Sequence, residues 1–120
     1  MYHYPYVLFP KARGIMNKPL VIITGASSGI GAAMAQVFSE AGYPLGLLAR
    51  NKEAMDRLSL PNTICISVDV TNINAMQSAI QLAEKKFGAV DCLINNAGYA
   101  KAGDFSELSH DVHLTTVNVN

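Results

Sequence analysis

From Pro19 onward, short apolar runs alternate with longer segments of helical periodicity, and that alternation leaves few folds open to the chain. Leu20 to Thr24 is a continuous apolar run, the pattern of a parallel strand covered on both faces, and Gly25 ends it. Gly29 to Ala41 then reads as a helix: Ile30, Met34, Val37 and Phe38 recur at helical spacing, Ala32, Ala33 and Ala35 permit close approach, and Gly42 is placed as a C-cap. Leu45 to Ala49 is a second strand, Asn51 caps a short helix through Leu58, and Pro61-Asn62 turns the chain into a third strand, Thr63 to Val70. Thr71 is expected to cap the next helix, whose stripe of Ile73, Met76, Ile80, Ala83 and Phe87 ends at Gly88 ahead of the strand Val90 to Asn95. Ser109 is expected to cap a last helix that has barely begun at Asn120, so the chain reads as ending inside an element. The class is α/β with a parallel sheet.

Composition narrows the setting. Half of the 120 residues are hydrophobic and 15% are charged, which excludes a disordered chain, and the length sets a ceiling of one modest domain. Nothing approaches the roughly 18 unbroken apolar residues of a membrane span. The formal net charge is +0 with Lys and Arg scattered, so no basic face is present for nucleic acid. Cys65 and Cys92 both sit in strand-like runs, where a thiol behaves as a small hydrophobe, and a reducing cytoplasm fits them. His110 and His113 are close enough to share a helix face, but no carboxylate or thiolate pattern accompanies them, so no metal site is expected. Residues 1–15 differ from all that follows: Tyr2, Tyr4, Tyr6 and Phe9 are interleaved with Pro5 and Pro10. They fit no element, signal peptide or transit peptide, and read as an upstream start or a loose leader, or else as an arm on a partner subunit, with the domain proper over 16–120.

The chemistry gathers in the turns after the strands, where an open α/β sheet binds its ligand. Thr24-Gly25-Ala26-Ser27-Ser28-Gly29-Ile30-Gly31 follows a strand and opens a helix, so backbone amides and the positive helix end face a pyrophosphate. Its spacing, G-x-x-x-G-x-G, departs from the common G-x-G-x-x-G. Taken with Asp69-Val70 and Asn95-Asn96-Ala97-Gly98, in that order and spacing, it resembles the short-chain dehydrogenase/reductase family, from about Leu20 to the end of the chain. The resemblance implies a Rossmann-type doubly wound sheet of about four strands in the order 3-2-1-4, truncated at its C-terminal side. It also implies roles: Gly25, Ser27, Ser28, Gly29, Ile30 and Gly31 around the pyrophosphate, Asp69 accepting from the adenine amino group, and Val70 packing by the ring. Asn95, Ala97 and Gly98 would line the ribose and nicotinamide side and brace the central strand. Asn118 matches the helix asparagine that holds a water in the proton relay.

Cofactor choice turns on the end of the second strand, where an acid suits the 2′-hydroxyl of NAD and an Arg the 2′-phosphate of NADP. The chain reads Leu48-Ala49-Arg50-Asn51, so Arg50 points to NADP(H) rather than NAD(H), with Lys52 as a possible second charge. The family's Tyr with a Lys four residues later has no counterpart here: none of Tyr2, Tyr4, Tyr6, Tyr43 and Tyr99 is followed so by Lys. The expectation is therefore the cofactor-binding front of an NADP(H)-dependent oxidoreductase acting on a small carbonyl or alcohol substrate, not turning over by itself. The resemblance also implies homo-oligomerisation of the full-length family member. The alternatives are a non-catalytic nucleotide-binding remnant and a methyltransferase on the same sheet, the latter disfavoured by Asn95 to Gly98.

Overall fold

β1 (Leu20–Thr24) lies at the centre of a parallel sheet, and every one of its five residues is buried. The computed structural model describes residues 18–96 and the strand 113–116. β1 is flanked by β2 (Leu45–Ala49) and β4 (Val90–Asn95), both buried along their whole length, and β2 by β3 (Thr63–Ser67). The strand order is therefore 3-2-1-4, as expected, with β5 (His113–Thr116) added in parallel beyond β4. Here one expectation is corrected: the helix anticipated from Ser109 gives way at His113–Thr116 to a strand, and the edge of β4 is paired. The open row of N–H and C=O groups on β4, with the β-branched pair Thr115-Thr116 opposite, favours the strand. His113 therefore stands in a strand and not on a helix, while His110 and residues 1–15 lie outside the described residues.

Both faces of the sheet are covered because successive residues of each strand point to opposite sides. On one side Val21, Ile23, Leu45, Leu47 and Ile94 pack with Met34, Ala35 and Phe38 of α1 (Gly29–Glu40) and with Met55 of α2 (Lys52–Asp56). On the other, Leu20, Ile22, Leu48 and Leu93 meet Met76, Ala79, Ile80 and Ala83 of α3 (Ile73–Phe87). The stripe expected on α3 holds at Met76, Ile80 and Ala83, whereas Ile73 at its first turn is 36% exposed. On α1 the buried face is Gly31, Met34, Ala35 and Phe38, and Ile30 is turned out, 49% exposed. The helix starts and stops follow from local chemistry. Asn51 caps α2 as read, its side chain accepting from the Ala54 amide. α3 is capped by Asn72 rather than Thr71, the Asn72 Oδ1 accepting from the Ala75 amide at 3.1 Å, because Thr71 is held by Asp69. Gly42 and Gly88 close α1 and α3 with φ of 91° and 92°.

β3 ends at Ser67, three residues before the expected Val70, and this shortening frees Val68 to Thr71 to turn over the carboxyl end of the sheet. On β3 the Cys65 thiol is pushed up to about 11, first by burial and then by the neighbouring Asp56 carboxylate. Nothing among the described helices is long and apolar enough to cross a membrane.

Two consequences are measurable. Gly46 lets α3 approach the sheet, since a Cβ there would stand 3.1 Å from Ile22 Cγ1 and 3.3 Å from Ala83 Cβ. Gly46→Val should therefore lower stability by about 1–3 kcal/mol in urea unfolding; an unchanged midpoint would contradict that packing. Because the thiolate is the reacting form, alkylation of Cys65 by iodoacetamide, read by peptide mass spectrometry, should stay slow at pH 8 and rise only as pH approaches 11. Rapid labelling at neutral pH would refute it.

Candidate functional site

The order 3-2-1-4 reverses direction between β1 and β4, and a sheet that switches direction opens a crevice at the carboxyl ends of those strands. β1 ends there on a polar residue in an otherwise apolar strand. The Thr24 hydroxyl donates to Asn95 Oδ1 at 3.0 Å and accepts from the Asn96 amide at 3.0 Å, joining the last residues of β1 and β4 across the switch. Asn96 Nδ2 donates in turn to the Gly25 carbonyl at 3.3 Å, so the turn after β1 is tied to the turn after β4. Asn95, 2% exposed, is thus a brace inside the sheet end.

The turn carries the chain from β1 into α1 within four residues. Gly25 takes φ 65°, in the left-handed region that side chains disfavour. Gly31 is required by contact: a Cβ there would fall on the Gly25 carbonyl oxygen and 2.6 Å from Asn96 Nδ2. With Gly31 facing the strand, Ile30 is directed out to the rim and Ser28 stands exposed at the cap position, with Ser27 half-buried beside it. The three helices then differ in a way that bears on ligand binding. α2 and α3 have Asn side chains on their first amides, whereas Ser28 makes no side-chain cap bond and the first turn of α1 holds no acid. The positive end of α1 is open to an anion at Ser27 to Gly31.

Beside it lies a cleft of about 440 Å³ lined by Gly25, Ala49, Arg50, Val68, Asp69, Val70 and Thr71. Four residues singled out in the sequence, Gly25, Arg50, Asp69 and Val70, meet on its walls. Asp69 Oδ1 accepts from the Thr71 amide at 2.9 Å and hydroxyl at 2.6 Å, and Oδ2 accepts from Arg50 Nη2 at 3.1 Å. These bonds, the Thr71 hydroxyl's foremost and Arg50's charge after them, hold the carboxyl below its ordinary value, so it is ionised at neutral pH. Lys52, considered as a second charge for the ligand, is instead paired with Asp56 at 2.7 Å along α2. Ala97, Gly98 and Asn118 lie outside the described residues. Among those described, no cluster of His, Cys, Asp or Glu can hold a metal ion. From sequence, Thr24 and Asn96 are placed only within their motifs and Thr71 only as a cap, and the bonds they make here were not anticipated. A hydroxyl ending a buried apolar strand was the available signal for Thr24, while the pairing of Thr71 with Asp69 depends on where β3 stops.

The Thr24 bridge has a measurable cost. Thr24→Val keeps the shape and removes both bonds, which should cost about 1–3 kcal/mol in urea unfolding; equal stability would show that the bridge is dispensable.

Residues 19–120 match the family described as short chain dehydrogenase. A dehydrogenase/reductase SDR family protein 7-like of Anopheles gambiae is 34% identical over 116 residues, covering 88% of this chain and 37% of its own. An oxidoreductase of Staphylococcus aureus is 31% identical over 110 residues, 88% of this chain and 48% of its own, so the chain spans less than half the length of these curated relatives. A short-chain dehydrogenase from Streptomyces avermitilis superposes with a TM-score of 0.61 at 37% identity over 67% of this chain and 31% of its own. A 3-ketoacyl-(acyl-carrier-protein) reductase from Brucella melitensis, complexed with NADH, shares the fold at 24% identity and TM-score 0.61, covering 78% of this chain and 43% of its own. With the glycine-rich turn, the braced switch point and the cleft in place, the chain belongs to the short-chain dehydrogenase/reductase family.

Proposed function

We propose that this chain binds NADP(H) and supplies the cofactor side of an oxidoreductase that passes hydride between the nicotinamide and a carbonyl or alcohol. The observation that carries the choice of nucleotide is Arg50 on the cleft wall at the end of β2, following Ala49 where an acid would favour NAD. The residues suit the cofactor. Gly29, at φ 59° with nothing within 4 Å of where its Cβ would stand, leaves the backbone open to a phosphate, and α1 presents amides without a side-chain cap where a pyrophosphate would sit. When bound, the cofactor supplies the hydride donor or acceptor.

In this reading Ser27, Ser28, Gly29, Ile30 and Gly31 hold the pyrophosphate, Asp69 accepts from the adenine amino group, and Val70 packs on the ring. Arg50 pairs with the 2′-phosphate. Asn95 steadies the strand end, Ala97 and Gly98 admit the nicotinamide ribose, and Asn118 orients a relay water. A cytoplasmic setting belongs to the same reading, supported by the thiols of Cys65 and Cys92. No Tyr-x-x-x-Lys occurs among these 120 residues, so nucleotide binding without turnover is what the chain itself is proposed to show. The relative crystallised with NADH is too distant to carry its nucleotide over to this chain.

Arg50→Ala should reduce the preference for NADPH over NADH by about 10- to 100-fold in binding titrations, the scale of a charge-assisted contact. An unchanged ratio would refute the NADP assignment.

A further inference from the structure

Among the described residues, the cleft has one cation and one anion on its walls, and they are bonded to each other. The contact is single, Arg50 Nη2 to Asp69 Oδ2 at 3.1 Å, with the Arg50 side chain 79% exposed and that of Asp69 43%. The two partners are held unequally. Asp69 is fixed from the other side by the amide and hydroxyl of Thr71. The Arg50 backbone is fixed too, its carbonyl accepting from Ser67 Oγ at 2.9 Å, but its guanidinium has only Asp69 among the described residues. The pair therefore opens by a swing of the arginine side chain, with no change in the backbone.

We propose that Asp69 sets selectivity at the nucleotide's 2′ position: it parks the Arg50 guanidinium across the cleft, and a 2′-phosphate has to draw it away. The inference rests on reading Arg50 as the 2′-phosphate ligand. A solvent-exposed single-contact pair is weak enough to be exchanged, at a penalty of about two- to fivefold in affinity. Two parallel bonds from the guanidinium to phosphate more than offset it. The carboxylate adds to the penalty by repelling the incoming phosphate at short range. A nucleotide with a plain 2′-hydroxyl incurs neither cost. Asp69 thus narrows the preference that Arg50 creates.

The test uses the full 120-residue chain with 2′,5′-ADP and 5′-AMP as probes, and reads the ratio of their dissociation constants by calorimetry. Any contact of Asp69 with adenine cancels in the ratio. Asp69→Asn should raise the preference for 2′,5′-ADP about two- to fivefold. Asp69→Ser, which keeps an oxygen for Thr71 and removes the charge, should shift it the same way, and the gain should vanish when Arg50→Ala is added. In the wild-type chain, the Arg50 guanidinium resonances should move with 2′,5′-ADP and stay in place with 5′-AMP. If Arg50→Ala abolishes the preference while the Asp69 variants leave it unchanged or lower it, or if both probes move the resonances alike, the role of Asp69 is overturned and that of Arg50 stands. A ratio insensitive to Arg50→Ala would overturn both.

Discussion

A parallel strand covered on both faces has no solvent in which to leave a polar group, and β1 ends on one. Thr24 is fully buried, so its hydroxyl has to be bonded within the protein, and the partners within reach are the end of β4 and the residue after it. The rest of the carboxyl end of the sheet depends on that requirement. With the two strands joined at their last residues, Asn96 is placed to bond the Gly25 carbonyl, and the turn into α1 runs over a fixed floor. Gly31 is then the residue that meets this floor, and the rotation of α1 follows from it: Met34, Ala35 and Phe38 inward, Ile30 to the rim.

The helix ends divide their work. α2 and α3 spend an asparagine side chain each on their first amides, which is what a helix does when nothing else will bond them. α1, which follows β1 directly, leaves its first amides without a side-chain cap. The same polar groups that cost stability when unbonded are what a phosphate would satisfy, so an incomplete cap and a binding site are one feature seen from two sides.

Charge on the cleft is arranged economically. Lys52 is bound to Asp56, Asp69 is bound on both oxygens, and Arg50 keeps donors to spare. Pairs this exposed contribute little to stability, so their value lies in where they hold the charges. The arrangement depends on β3 stopping at Ser67: continued to Val70, the strand would have carried Asp69 in the ladder, and its carboxyl could not have turned back to the Thr71 amide.

Much of this was legible in the residues themselves. Leu20–Thr24, Leu45–Ala49 and Val90–Asn95 are strands over the bounds their apolar runs suggested, because a two-sided core demands unbroken hydrophobicity and Gly25 and Gly88 punctuate it. The G-x-x-x-G-x-G turn, Arg50 after β2 and Asp69-Val70 after β3 were visible too, since each follows a strand whose end the pattern marked. What could not be read were the contacts made between segments distant in sequence. Thr24 meets Asn95 and Asn96 across more than seventy residues, Arg50 meets Asp69 across nineteen, and the edge of β4 finds β5. The sequence by itself determined the elements from β1 to β4, though not where β3 stops or that His113–Thr116 is a strand, because periodicity and turn chemistry are local whereas an added edge strand depends on its neighbour. Tertiary structure alone decided which polar groups share bonds, because a donor's partner depends on where packing puts it.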